Sequence, residues 1–480
     1  MIRFATRGCA VLALLGVTAG AAGAHATTPG ATPAMPGRAS RAPGATQFYL
    51  AGGQNSATAH ATLDLLNANG APATVRLTFY FADGATARAA VSVPATSERA
   101  VPARRLISRA GAFGLRVQSD QPVTAQLDLT RDGRDGDDIL GSPALATRWY
   151  LAEGYTFLTF HETVALLNPG DGAAHVTLRL MSTATGPRRD VAVSVPAHTQ
   201  TLVDVNRVLP NQSLGAVVDS DHPVAVERSL TFGEGGYGLT ARMGATGTAT
   251  TWYFGGGSAT ILFQSYLTVL NPGDRPARVT ARYYQGFLQG HVDVAPSVTV
   301  APHSRANIVR PYGDYAHAIV VTSDQPVVVE RAEYHGIATN SSPNARTAMS
   351  VLPAQPAGEV ILGLTTPRAQ WSFAGVGDLT GGGLAYILIY NPSPTRSVDV
   401  TLTTYGQNSR ATASQSVYTT GLGPHVVSVD SADGSPAISG PHGLVVHSID
   451  GQPFIAEEMV LKLGSPASGT QLRGTQGFAP

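Results

Sequence analysis

Apolar and polar residues alternate along most of this chain, and the alternation recurs in blocks. Val75, Leu77, Phe79 and Phe81 fall on one side of a period of two, as do Val176, Leu178 and Leu180, and again Val398, Val400 and Leu402; Thr, Arg and Asp stand between them. Successive side chains of a strand point to opposite faces, so each block predicts a half-buried β-strand. A second alternating run, Val191, Val193 and Val195, leads into VPAH, and VSVPAT at 91 and VTVAPH at 298 repeat it. Asn168-Pro169-Gly170-Asp171 and Asn271-Pro272-Gly273-Asp274 read as type II turns, with Pro fixing φ at the second position and Gly taking positive φ at the third.

Three markers recur in one order. QFYLAGG at 47, RWYLAEG at 148, TWYFGGG at 251 and QWSFAGV at 370 are each followed by a strand ending in Asn67, Asn168, Asn271 or Asn391. SDQPV at 119, SDHPV at 220, SDQPV at 323 and the looser IDGQPF at 449 then read as a turn before a strand, with Pro where no ladder donor is needed. Markers in constant order and spacing indicate duplication. About seven short strands in each repeat of roughly a hundred residues predict an all-β fold, a tandem array of four immunoglobulin-like antiparallel β-sandwich domains. The repeats span 47–146, 147–250, 251–368 (including a linker) and a divergent 369–480. Short connections and the absence of charge asymmetry predict that they follow one another in a line.

These units, opening on W-Y-(F/L)-A-E-G, continuing through L-N-P-G-D and V-P-A and closing on S-D-x-P-V-V-V-E-R, resemble a repeat of secreted and envelope proteins of bacteria known as a domain of unknown function. The likeness runs from about 47 to 480 and is best in the second and third repeats, at Trp149, Tyr150, Glu153, Asn168, Asp221, Pro223, Glu227 and Arg228, then Trp252, Tyr253, Asn271, Asp324, Pro326, Glu330 and Arg331. The first repeat departs with Phe48 for Trp, the fourth with Ser372 for Tyr. The resemblance implies a β-rich extracellular repeat and supplies no catalytic residues.

The N-terminus agrees with that compartment. Arg3 and Arg7, an uncharged apolar run and Ala24-His25-Ala26 form a secretion signal over 1–26, followed by a Pro-, Ala- and Thr-rich disordered linker over 27–46. Cys9 lies within the signal, so the mature chain has no cysteine and its stability rests on its cores. Lys plus Arg equal Asp plus Glu at 32 each, leaving no net field to attract nucleic acid. No other apolar stretch is long enough to span a membrane as a helix.

Candidate chemistry is sparse. Glu153 beside Trp149 and Tyr150 suggests a glycosidase carboxylate, yet such an enzyme needs two acids at fixed separation, and Gly53, Gly256 and Gly375 or Val376 stand at the equivalent places. The aromatic positions persist where the acid does not, which favours Trp149, Tyr150, Trp252, Tyr253 and Trp371 as packing anchors of the repeats over exposed platforms for sugar rings. Asp132, Asp135 and Asp137 in RDGRDGDD form a loose calcium candidate that misses the EF-hand spacing, and a solvated hairpin is the simpler reading. His198, His303 and His425 each follow the second alternating strand and are expected far apart. In Glu227-Arg228 and Glu330-Arg331, neighbours on a strand, one member of each pair is expected inside and the other at the surface. No cofactor is implied. The reading that results is a non-enzymatic secreted or cell-surface structural or adhesive repeat protein, with cell-wall polysaccharide or another surface protein as partner; the alternative is an extracellular carbohydrate-binding protein using Trp and Tyr platforms.

Overall fold

The computed structural model describes residues 43–257, 263–285, 291–309, 317–335, 356–376, 384–407, 415–419, 425–430, 442–462 and 471–479. The expected signal and most of the expected linker lie outside them. Residues Ala42–Pro480 form one compact unit that is almost entirely β.

Four segments carry the strands. The first holds β1 (Ala45–Asn55), β2 (Ala59–Asn67), β3 (Ala73–Tyr80), β4 (Thr86–Val93), β5 (Ser97–Pro102), β6 (Gly111–Arg131) and β7 (Asp135–Leu140). The second holds β8 (Ala146–Leu151), β9 (His161–Asn168), β10 (Ala174–Met181), β11 (Arg188–Val195), β12 (Thr199–Asp204), β13 (Gly215–Phe232) and β14 (Gly238–Met243). The third holds β15 (Ala249–Phe254), β16 (Phe263–Asn271), β17 (Ala277–Gln285), β18 (Val292–Val294), β19 (Val298–Val300), β20 (Ser304–Val309), β21 (His317–His335) and β22 (Ala357–Leu362). The fourth holds β23 (Gln370–Val376), β24 (Leu384–Asn391), β25 (Asp399–Gly406), β26 (Gln415–Thr419), β27 (His425–Asp430), β28 (His442–Ser448), β29 (Ile455–Lys462) and β30 (Gln471–Gln476).

One antiparallel pairing scheme recurs. It is plainest in the fourth segment, where two sheets run β23-β28-β25-β26 and β27-β24-β29-β30. In the other segments one long strand does the work of β28 and β29. The first half of β13 pairs β8 and β10, and its second half, from Ala225, pairs β9 and β14. The change falls at Asp221-His222-Pro223, with a register shift between Asp219 and Val224. The SDxP marker is therefore a corner inside one long strand, not a turn before a strand. Proline, lacking an N–H, suits the point where the chain leaves one ladder and joins another. A strand shared by two sheets also departs from the immunoglobulin order, in which the two sheets have separate strand sets.

The alternating residues fill the cores. Val75, Leu77, Phe79, Phe81, Val176, Leu178, Leu180, Val398, Val400 and Leu402 are all buried. The last strand of each segment serves a different purpose: β7 packs on β14, β14 on β22, β22 on β30, and β30 back on β7. First and fourth segments touch, and Phe48 meets Phe478 edge to face with ring centroids 5.2 Å apart. The expected line of repeats is thus a closed ring. The reason lies in polar groups at the junctions, which short connections alone did not reveal.

Candidate functional site

Each repeated marker has a hydrogen-bonding task. The indole N–H of Trp149 donates to the carbonyl of Val224 at 2.9 Å, that of Trp252 to Val327 at 3.0 Å and that of Trp371 to Phe454 at 3.0 Å, in each case at the start of the half-strand beyond the corner. The three side chains are at most 2% exposed. No indole face is open, so the stacking-platform reading of these tryptophans is corrected. Tyr150 is buried within the core of the third segment, and Tyr253 packs, partly buried, against that of the fourth, so each tyrosine joins its segment to the next.

The buried Asn168 amide donates to the carbonyls of Gly172, Val195 and Pro196, while its own oxygen accepts from the Gly170 N–H at 3.0 Å. Asn67 and Asn271 repeat the clamp. Neither Gly170 nor Gly273 has positive φ. The N-P-G-D sequence therefore forms a turn closed by the asparagine side chain, not the type II turn expected. Positive φ falls instead on His198 (57°) and His303 (49°), each beside the aspartate of its own turn, Asp171 or Asp274. His425 pairs with Asn391, the register position that follows His198 in its repeat.

Between segments, backbone N–H groups after the aromatic marker donate to a buried glutamate of the next segment. Gly52 donates to Glu227 at 2.9 Å, Glu153 to Glu330 at 2.7 Å and Gly255 to Glu457 at 3.0 Å. By strand register Gly52, not Gly53, is the counterpart of Glu153. Gln126 holds this place in the first segment, and the closing junction uses Glu98, which accepts from Gly375 at 2.9 Å. Both members of Glu227-Arg228 and of Glu330-Arg331 are buried, correcting the expectation of one inside and one outside. One face of the strand meets its own core; the other is covered by a neighbouring segment. Arg228 donates to Glu330 and to the Glu153 carbonyl, both at 2.9 Å, and Arg331 donates to Glu457 at 2.6 Å and also to Glu359.

The junction of the second and third segments is the richest in chemistry. Glu153 is 3% exposed and accepts from Arg305 and, at 2.9 Å, from the Tyr334 hydroxyl. Arg305 also donates to the Ala152 carbonyl at 3.0 Å and to Ser213. Phe160, Phe232 and Tyr334 pack against one another on one side. Glu162 lies buried nearby; burial pushes its carboxyl up to about 8, Glu153 adds to the rise, and Arg228 and the Tyr155 N–H oppose it. Glu153, Tyr155, Ser213, Tyr266, Arg305 and Tyr334 line a cavity of about 50 Å³. That is room for a water or two.

The ring axis is also polar. Asp135 accepts from Leu239 N–H and Asp137 from Ala241 N–H, both at 2.9 Å, and both side chains are fully buried. Burial pushes Asp137 up to about 8 against the pull of Arg242. Arg242 donates to Asp138 O in the first segment, Val360 O in the third and Gly474 O in the fourth, at 2.9, 2.7 and 2.6 Å. One guanidinium thus ties its own segment to the other three. Asp132, Asp135 and Asp137 do not converge as a calcium site: β6 and β7 form the expected hairpin with Asp132 exposed in its turn, but Asp135 and Asp137 are buried against the second segment and are not solvated. Among the described residues no group of three or more His, Cys, Asp or Glu is arranged to hold a metal ion, and no helix is long and apolar enough to cross a membrane.

Trp, Asn and Asp were legible as recurring positions though not in their tasks, whereas Arg242 and Arg305 carried no recurring signal because each occurs once. No curated protein matches the chain. Two solved structures are similar to short parts of it: the Thermotoga maritima protein 1070, 18% identical over 21% of this chain and 93% of its own with a TM-score of 0.20, and the Anabaena sensory rhodopsin transducer, 28% identical over 18% of this chain and 99% of its own with a TM-score of 0.16. Residues 13–251, which include the first two segments, match a family of unknown function (DUF5719).

Proposed function

We propose that this chain is a non-enzymatic, secreted or cell-surface structural and adhesive protein, built from four two-sheet β-sandwich modules closed into a ring, with cell-wall polysaccharide or another surface protein as its partner. The observation that carries the reading is the fate of its acids. Glu153 and Glu162, the pair nearest to a hydrolase arrangement, are both buried: Glu153 lines a junction cavity of only about 50 Å³ and is spent on Arg305, Tyr334 and the approach of the third segment, and Glu162 does not reach that cavity. A sugar ring needs a cleft several times larger. The ring replaces the extended spacer expected from the repeats, so adhesion rests on outward faces of a compact body.

The test combines binding and turnover. The purified chain should bind isolated cell-wall polysaccharide or envelope fragments without degrading them. Reducing-end release from any polysaccharide, abolished by Glu153→Gln or Glu162→Gln in a chain that still folds, would overturn the reading.

A further inference from the structure

We propose that a cleft between the first and second segments binds an acidic oligosaccharide, one bearing carboxylate or sulfate groups, through Arg76, Arg88 and Arg116. The proposal deepens the adhesive reading by giving it a site. The cleft has a volume of about 1080 Å³ and a floor formed by the outer face of the first segment's sheet; its far wall is the Pro169-Gly170-Asp171 turn and His198 of the second segment.

Register places the cations on one face. Arg88 on β4 lies opposite Thr78 on β3, Thr78 opposite Arg116 on β6, and Arg116 opposite Tyr49 on β1; Arg76 stands two residues along β3. Directly opposed residues share a face. With strands about 4.8 Å apart and about 3.4 Å per residue, the Arg88 and Arg116 backbones are roughly 10 Å apart, with Arg76 about 7 Å to the side of their row. One small anion cannot bridge all three, whereas a chain carrying an acidic group on successive sugars can meet them in turn.

The charge on this face is uncompensated. In the second segment the corresponding row is neutralised: Arg179 pairs with Asp190 and Asp219, and Arg148 with Asp219. Arg88 occupies the register position of Asp190, and Gln118 that of Asp219. Arg76 and Arg88 are exposed and pair with no acid among the described residues. Arg116 donates to Gln47 at 3.1 Å and lies 5.9 Å from the centre of the Tyr49 ring, while its Nε is buried without a hydrogen bond. Asp171 is the acid of the opposite wall, 3.1 Å from His198, whose ring stacks with Tyr80 at 13°. Guanidinium forks suit carboxylate and sulfate, and the aromatic edges suit the apolar faces of sugar rings. A nucleic acid would call for a longer basic stripe than three arginines on a chain of zero net charge.

Calorimetric titration of the purified chain tests this, with a size-defined oligogalacturonide, a heparin-derived oligosaccharide, a neutral malto-oligosaccharide of equal length and an oligothymidylate as probes. One or both acidic sugars should bind roughly tenfold or more tightly than the neutral one and the oligothymidylate. Arg88→Asp, which copies the second segment, and the double variant Arg76→Ala/Arg88→Ala should each lose about tenfold or more, with melting unchanged because both positions are exposed. Equal affinity for the neutral sugar, tighter binding of oligothymidylate, or unaltered binding by the folded variants would overturn the assignment. Wall polysaccharide bound equally by chain and double variant would remove the cleft and leave the adhesive reading standing; no binding of any wall polysaccharide or acidic sugar would remove both.

Discussion

The pairing of Glu153 with Arg305 yields a test with a control supplied by the chain itself. At the first junction the same two register positions hold Gly52 and Gln200. Glu153→Gly alone leaves the Arg305 guanidinium buried without its anion, and Arg305→Gln alone leaves the Glu153 carboxylate without its cation. Removing one partner of a buried pair costs about 3–5 kcal/mol, whereas replacing both by a matched neutral pair is often close to neutral. The double variant Glu153→Gly/Arg305→Gln should therefore lie within about 2 kcal/mol of the parent, which makes the coupling between the sites at least about 4 kcal/mol. Part of the residual loss belongs to the Tyr334 hydroxyl, which donates to Glu153 at 2.9 Å, and adding Tyr334→Phe should recover some of it. Guanidinium denaturation followed by tryptophan fluorescence measures all the variants, since Trp149 and Trp252 sit in the two segments concerned. Single variants costing under about 1 kcal/mol, or losses that simply add in the double, would refute the claim that this ion pair fastens the junction.

Arg242→Met strands three carbonyls from three segments and should cost about 3–5 kcal/mol in the same assay, and Arg242→Lys should recover only part because an ammonium cannot reproduce the planar fork. For Glu162 the folded carboxyl is raised to about 8, so the folded state holds a proton that the unfolded chain releases near its ordinary value of 4.5. Its stabilising contribution is complete below about pH 4.5 and is lost as pH rises toward 8, by at most about 1.4 kcal/mol per pH unit; Glu162→Gln should flatten that slope in pH-dependent unfolding, and an unchanged slope would exclude Glu162 as its source. Small-angle scattering on residues 42–480 should give a radius of gyration near 22 Å by compact-chain scaling, where a line of four beads requires roughly 40 Å.

What the sequence made legible was what each segment does for itself. The period of two placed Val75, Leu77 and Phe79 inside, and the persistence of Trp149, Trp252 and Trp371 marked them as packing positions, because both signals arise from contacts within one repeat. What it concealed were contacts between repeats. Alternation assigns residues to the two faces of a strand but does not say what covers the second face, so Glu227 and Arg228 read as one inside and one outside although both are buried. A signal for the junctions was nevertheless present. Glu153 is unmatched among its register equivalents, and so is Arg305, whose counterparts are Glu98, Gln200 and Val426. Two exceptions facing each other across one junction are what a buried ion pair leaves in a duplicated chain. The repeated marker already aligns His303-Ser304-Arg305 with His198-Thr199-Gln200, but alignment within a repeat does not show that this position faces the edge of the neighbouring segment, which depends on how the segments pack.

Closure of the ring gives these exceptions a further meaning. Four identical junctions would allow any segment to dock on any other, including segments of a second chain, since every edge would fit every glutamate. Here three junctions share the glutamate at positions 227, 330 and 457, while the closing one uses Glu98 with Gln126 at the shared place. Arg305 facing a glycine edge would be left as an unpaired buried charge, and Glu153 facing Gln200 would be left without its cation; either mismatch costs several kcal/mol. A repeated backbone hydrogen bond thus supplies attraction at every junction, and the unrepeated charges penalise every wrong order. The second segment is the most constrained, because Arg242 needs carbonyls from the first, third and fourth segments at once, and no arrangement short of the closed ring provides all three.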